Sequence, residues 1–159
     1  MSSTDVRSAT SQETARVGTT DMALEVVTVP VSDVDRAKRF YESLGWRLDI
    51  DLVISDAARN VQITPPHSQC SIHFGKGRTT AEPGSAQGLF LVVDDLAAAR
   101  EDLIGRGVDV SEIEVRKPPG FEGIEGQSYF AQADFQDPDG NGWILQEVTT
   151  RLPGREWEA

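Results

Sequence analysis

Residues 27–46 read VTVPVSDVDRAKRFYESLGW, and residues 89–108 read LFLVVDDLAAAREDLIGRGV. Set side by side without a gap, at an offset of 62 positions, Val31 meets Val93, Asp33 meets Asp95, Ala37 meets Ala99 and Gly45 meets Gly107. Each stretch opens as an apolar strand and passes an acidic residue that can accept from the free amides of a helix's first turn. It then carries apolar residues at helical spacing and stops at a glycine. A strand-helix unit used twice predicts one supersecondary module in two copies, with function placed between them.

Reading outward from the first copy, Leu24 to Val31 suits a strand buried on both faces, with donor-less Pro30 at its end or edge. Ser32 or Asp33 caps the following helix, on which Val34, Ala37, Phe40, Tyr41 and Leu44 recur; Phe40 and Tyr41 are assigned to packing. Trp46 to Val53, WRLDIDLV, alternates as a half-buried strand, and Asn60–Thr64 with Cys70–Phe74 give two short strands around a PPHS turn. The Gly, Pro and small polar residues of 75–88 read as a linker. Leu89–Val93 is then a strand, Asp94 or Asp95 caps a helix carrying Leu96, Ala99, Leu103 and Ile104, and Gly105 and Gly107 punctuate its exit. Strands near Val108–Val115, Ser128–Phe135 and Gly142–Thr149 complete the second copy. The DPDGN turn at 137–141 sets the reversal before the last strand.

Residues 1–20 are rich in Ser and Thr and too poor in large apolar side chains to offset ordering, so a loose tail is expected. The rest reads as a single domain over 21–149, with module one at about 22–75, the linker at 76–87 and module two at about 88–149. A short tail follows at 150–159. A chain of 159 residues can bury a core without staples. Its one cysteine, Cys70, excludes an intrachain disulfide and points to a reducing cytoplasm.

The net charge of −11 argues against nucleic acid, which is bound by Lys and Arg clusters that release counterions. It favours solubility, and cationic ligands through long-range attraction. No run approaches the roughly 20 apolar residues of a membrane span, and the N-terminus lacks the plan of a signal peptide. A soluble protein with no membrane contact is expected.

Two strand-helix-strand-strand-strand modules, with VSDVDRAKRFYESLGW after the first strand, VDDLAAAREDLIGRGV after the fifth and DPDGNGWILQE near the end, together resemble the vicinal oxygen chelate superfamily. This is the group of glyoxalases, bleomycin resistance proteins and extradiol dioxygenases. The resemblance covers about Met22 to Thr149. It implies an α+β fold in which two βαβββ modules form a curved, half-open mixed-sheet cup, with one cavity enclosed in a monomer or across a homodimer. Enzymes of the group hold a divalent metal with ligands from the first and fifth strands and from the last strand of each module. Counted from Asp33, Asp95 and Asp137, three of those positions fall on Val26, Gly88 and Ile144, none of which has a ligating side chain. No metal and no other cofactor is therefore expected, unless Gln146 or Glu147 substitutes with a one-residue slip. Strand parity places Gln146 with Ile144 and turns Glu147 away.

His73 and Gln146, near the ends of matching strands, would offer a titratable group and an amide to the cavity; the alternative for His73 is a hydrogen bond within the sheet. Trp46, Phe90, Phe121, Tyr129, Phe130 and Trp143 are the aromatics available to line a flat cleft, although most aromatics are core. Phe90 shares parity with Gly88 and so faces the cup. Phe121, in the loop KPPGFEGIEG at 117–126, is either a rim or lid residue or a side chain tucked into the core. The ligand-binding set is thus Trp46, His73, Phe90, Phe121, Tyr129, Ile144 and Gln146, with His73 the one catalytic candidate. Asp49 and Asp51 on one strand face could form an acid-base pair, but alternating charge on a half-exposed strand is normally a solvated face. Glu101, Asp102, Glu112 and Glu114 read the same way. The expected activity is binding of a small, apolar or planar organic molecule. The alternative is a lyase, isomerase or dioxygenase built on His73, with a displaced metal that Glu147 helps to hold or by acid-base chemistry alone.

Overall fold

The computed structural model describes residues 17–123 and 125–156. Most of the expected N-terminal tail, Ile124 and the last three residues of the chain lie outside the described residues. The first module runs β1 (Val26–Thr28), α1 (Val34–Ser43), β2 (Arg47–Ser55), β3 (Ala58–Thr64) and β4 (Ser71–Phe74). The second runs β5 (Leu89–Val93), α2 (Leu96–Gly105), β6 (Glu114–Val115), β7 (Ala131–Gln136) and β8 (Gly142–Glu147). The sheets have matching orders, β1-β4-β3-β2 and β5-β8-β7-β6, each with a parallel pair at one end and antiparallel pairs elsewhere. Among the described residues, no helix is long and apolar enough to cross a membrane.

Both helices start as their caps dictate. Asp33 accepts from the Arg36 amide at 3.0 Å and Asp95 from the Ala98 amide at 3.0 Å. These bonds answer amides that the first turn leaves free, each worth about 1 kcal/mol. Gly45 follows α1 with φ of 84° and Gly107 follows α2 with φ of 89°, a left-handed turn that a side chain resists.

One core serves both modules. Val61, Ile63, Ile72 and Phe74 of the first sheet and Ala131, Ala133, Phe135, Trp143 and Leu145 of the second are buried with Ala37, Tyr41, Leu96 and Leu103 of the helices. The seam is aromatic: Tyr41 meets Trp46 at 5.3 Å and Trp143 at 5.9 Å between centroids, and Trp46 meets Trp143 edge-on at 5.2 Å. The DPDGN turn also joins the modules. Tyr41 Oη donates to Asp137 Oδ2 at 2.8 Å, Trp143 Nε1 donates to Tyr41 Oη at 3.0 Å, and Asn141 Nδ2 donates to Pro30 O at 2.8 Å. Asn141 Oδ1 accepts from the Ala86 amide, so the segment between the modules is tied to the same point.

Several sequence expectations change. All nine residues of β2 are exposed, where the alternation predicts a half-buried strand, because β2 is an edge strand of which neither face is buried by the described residues. Its bulge between Leu48 and Ile50 breaks the parity of Asp49 and Asp51. Asp49 accepts from the Thr64 hydroxyl and pairs with Arg47, whereas Asp51 pairs with Lys38 of α1 and with Arg59. They do not form an acid-base pair. The strand expected over 108–115 is only the two residues of β6, and Tyr129 takes a left-handed φ of 71° that delays β7 to Ala131. Asp102, Glu112 and Glu114 pair with Arg106, Arg100 and Arg116, as solvated charges do.

Candidate functional site

Side chains alternate along each strand, so every sheet has a helix-side face and an outer face. On the first sheet the pairing register lines up Thr28, His73, Gln62 and Ile50 as one outer row, and sets Asn60 beside Leu52. On the second sheet the row equivalent to Thr28 and His73 is Phe90, Ile144 and Asp134, and the next is Val92, Gln146, Gln132 and Glu114. The first cup sets Thr28, His73, Gln62 and Asn60 beside Ile50 and Leu52, and the second sets Phe90, Val92 and Ile144 beside Gln146, Gln132, Asp134 and Glu114. Neither is closed within the chain: Ile50 is 41%, Leu52 54%, Phe90 52% and Val92 44% exposed. Apolar side chains grouped on one face at such exposure make both faces candidate sites.

In the first cup Thr28 Oγ1 and His73 Nε2 lie 2.5 Å apart. Burial, and secondarily the charge of Arg78, hold the His73 imidazole below its ordinary value, so the ring is neutral at pH 7. In the second cup Arg116 grips Asp134 with two bonds, at 2.9 and 2.7 Å, and also reaches Gln132 and Glu114. Those bonds, with that to Asp134 the largest contribution, raise the Arg116 guanidinium above its ordinary value. Gln146 Nε2 and Gln132 Nε2 both donate to Tyr129 O, at 2.9 and 3.1 Å, pinning the chain where the 117–128 loop returns to the sheet.

The structure brings Phe90, Ile144 and Gln146 together on the second cup and places His73 on the first. Gln146 is not the counterpart of His73: the register makes that counterpart Ile144, because Thr28 pairs with His73 as Phe90 pairs with Ile144. Trp46 does not line a cup. It is 8% exposed, on the helix side, where it borders a crevice between the modules of about 230 Å³ with Leu44, Pro65, Pro66, Leu91 and Leu103. That volume is below the roughly 300 Å³ at which small-molecule sites begin. Phe121 packs edge-on against Phe130 at 5.6 Å in the loop, with the Lys117 ammonium 5.5 Å from the Phe130 ring. Tyr129 contributes its carbonyl to the cup glutamines, while its hydroxyl accepts from the Leu152 amide. Arg116, Gln132, Asp134 and Asn60 were missed by sequence reasoning. For Gln132 and Asp134 the signal was strand parity, usable only once β7 is known to begin at Ala131; Asn60 follows from the parity of β3, and Arg116, outside the strands, gave none.

The register also supplies the fourth position at which the resemblance implies a metal ligand: His73, beside Val26, Gly88 and Ile144. One imidazole with two aliphatic side chains and a glycine is not a donor set for a divalent ion, which takes at least three protein ligands at a catalytic site. Glu147 cannot complete it in this arrangement, since its Oε2 accepts from the Leu96 amide at 2.9 Å on the helix side. Among the described residues no cluster of three or more His, Cys, Asp or Glu side chains could hold a metal ion.

Paired βαβββ modules with two outward sheet faces and a shared aromatic seam define a class of α+β proteins built by duplication of one module. The chain belongs to the Glyoxalase/Bleomycin resistance protein/Dioxygenase superfamily, whose profile matches residues 23–145. Among solved structures it is similar to TnmS3, an antibiotic binding protein from Streptomyces sp. CB03234. That match has 32% identity and a TM-score of 0.66, and covers 82% of this chain and 99% of that one. A glyoxalase/bleomycin resistance protein from the same Streptomyces strain matches at 34% identity and a TM-score of 0.61, over 78% of this chain and 99% of that one. A superfamily member from Sphaerobacter thermophilus DSM 20745 matches at 27% identity and 0.63, over 80% and 98%. No curated protein sequence gives a significant match.

Proposed function

We propose that this protein sequesters a small, apolar or planar organic molecule, without a metal, in cavities that close when two copies of the chain associate. The observation that carries the reading is the open second cup, where Phe90 and Val92 stand exposed beside Ile144. The crevice beside Trp46 is too small to be the site, and a larger one of about 500 Å³ is lined mostly by polar groups, Asp109, Ser111, Asp134 and Asp137 among them, which do not suit an apolar ligand. Placing the first cup of one copy over the second cup of the other covers the exposed Ile50 and Leu52 of one and Phe90 and Val92 of the other, and sets Thr28 and His73 across from the apolar patch of Phe90, Val92 and Ile144. The likeness to an antibiotic binding protein supports a binding role, and the single cysteine supports a reducing cytoplasm.

The test has two parts. Sedimentation of the purified protein is expected to give a dimer. A thermal-shift screen of planar aromatic compounds is expected to yield ligands that raise Tm by several degrees at about 100 times Kd. A monomer at micromolar concentration, with no compound raising Tm, overturns the reading. The pairing of His73 with Thr28 on an open sheet face favours, as a second reading, a metal-free lyase or isomerase with His73 as the proton carrier. Turnover lost on His73→Ala would establish it. Stoichiometric Zn, Ni, Mn or Fe lost on the same substitution would instead establish a displaced metal enzyme.

A further inference from the structure

The net charge of −11 predicts attraction of cations, but the charge inside the cups is differently arranged. Asp49 accepts from Arg47 and from the Thr64 hydroxyl. Asp134 is gripped by both terminal nitrogens of Arg116, and Glu114 takes the remaining edge of the same guanidinium. Asp51 points to Lys38 and Arg59 on the helix side. The carboxylates that the strand registers place on the outer faces, Asp49, Asp134 and Glu114, are therefore already engaged by a cation or a hydroxyl. A cationic ligand would lose its hydration there without gaining a counter-charge. The long-range field remains, yet it acts mainly on encounter rate and is screened within roughly 8 Å at physiological salt.

What the first cup does offer is unpaired neutral hydrogen-bonding capacity. Thr28 and His73 share one bond. If the hydroxyl donates, the imidazole keeps an N–H for a ligand and the threonine oxygen keeps a lone pair. If the imidazole donates, the hydroxyl proton is free and the other ring nitrogen accepts. In both tautomers the pair presents one donor and one acceptor. On the same face Asn60 has its Oδ1 shut off from solvent without a partner. Buried polar atoms are almost always satisfied, so this one calls for an explanation. The terminal torsion of an amide is soft, so its orientation adjusts to a partner in the cup. A group that both donates and accepts answers that amide whichever way it is turned.

Resting on the binding role proposed above, we infer that the cup selects a neutral, hydroxyl-bearing planar molecule and rejects cations, with Asn60, His73 and Thr28 as the specificity-determining residues. The hydroxyl sits at those residues of the first module, and the flat apolar body lies against Phe90, Val92 and Ile144 of the second.

The experiment uses three probes of one ring system on the full-length protein at 150 mM salt: 2-naphthol, 2-methoxynaphthalene and 2-naphthylmethylammonium. Affinities are read by isothermal titration calorimetry. The naphthol is expected to bind about tenfold or more tighter than either other probe, as sites built around a hydroxyl discriminate against its absence. In Asn60→Leu and Thr28→Val that preference is expected to fall below about threefold, with circular dichroism and a cooperative melt reporting separately that the variants are folded. Equal binding of naphthol and methoxynaphthalene, or tightest binding by the cation, overturns this inference and leaves the sequestration role standing. Binding of none of the three overturns both.

Discussion

Replacing Tyr41 with Phe removes a single oxygen from the seam between the modules, and the structure sets what that costs. The hydroxyl is fully buried. It donates to Asp137 Oδ2 at 2.8 Å and accepts from Trp143 Nε1 at 3.0 Å. Burial first, and the Asp137 charge second, push the Tyr41 hydroxyl far above its ordinary value, so it remains a donor at any working pH. A hydrogen bond to a charged acceptor is worth about 1.5–3 kcal/mol, and a buried N–H left without a partner costs about 1–3 kcal/mol. Asp137 keeps bonds from Asn141 Nδ2 and from the amides of Asp139 and Asn141, which brings the expectation to the lower half of that range, about 3 kcal/mol. In urea the midpoint should fall with the slope unchanged, and Tm should drop by roughly 6–12 °C. A loss under about 1 kcal/mol would refute the reasoning, because it would mean the network exchanges with water and does not hold the modules together.

Other consequences are as direct. Phe90→Ala is expected to weaken any ligand found by the screen at least tenfold while leaving Tm within about 2 °C, since the ring is half exposed and makes little of the core; titration calorimetry and melting read the two effects separately. Leu52→Asp or Phe90→Asp should convert a dimer to monomers in sedimentation, by placing an unpaired carboxylate in the covered apolar face. Arg59 and Lys38 hold the Asp51 carboxyl well below its ordinary value, so its contribution to stability is present above about pH 4 and is lost as pH falls through the folded value. Asp51→Asn should therefore flatten the fall of Tm between about pH 4 and pH 2, and an unchanged pH profile would count against the pairing. Glu147→Ala removes the acceptor of the Leu96 amide at the start of α2 and should cost about 1 kcal/mol in urea, with no change in the metal content of the purified protein.

The gap-free internal match was enough to read the modules, their caps and their glycine stops, because these depend on local backbone chemistry: Asp33 and Asp95 cap as their spacing requires. The face assignments of Phe90, Ile144, Gln146 and Glu147 were likewise legible, since alternation along a strand is a local rule once the strand is known. Asp49 and Asp51 escaped that rule through a bulge, which no residue in WRLDIDLV announces. Trp46 escaped it through packing. Its ring is apolar and planar, fit for a ligand wall or a core alike, and only the approach of Tyr41 and Trp143 from distant segments decided the matter.

The sequence by itself determined a duplicated βαβββ chain and three ligand positions without donors, because repeat, cap and side-chain identity need no knowledge of distant neighbours. Only the tertiary structure decided that His73 stands opposite Thr28 and matches Ile144, that Arg116 is spent on Asp134, and that both cups remain open in one chain. Those facts rest on strand register and on the way two sheets share one aromatic seam. They are set by contacts between residues far apart in the chain, which spacing along it does not encode.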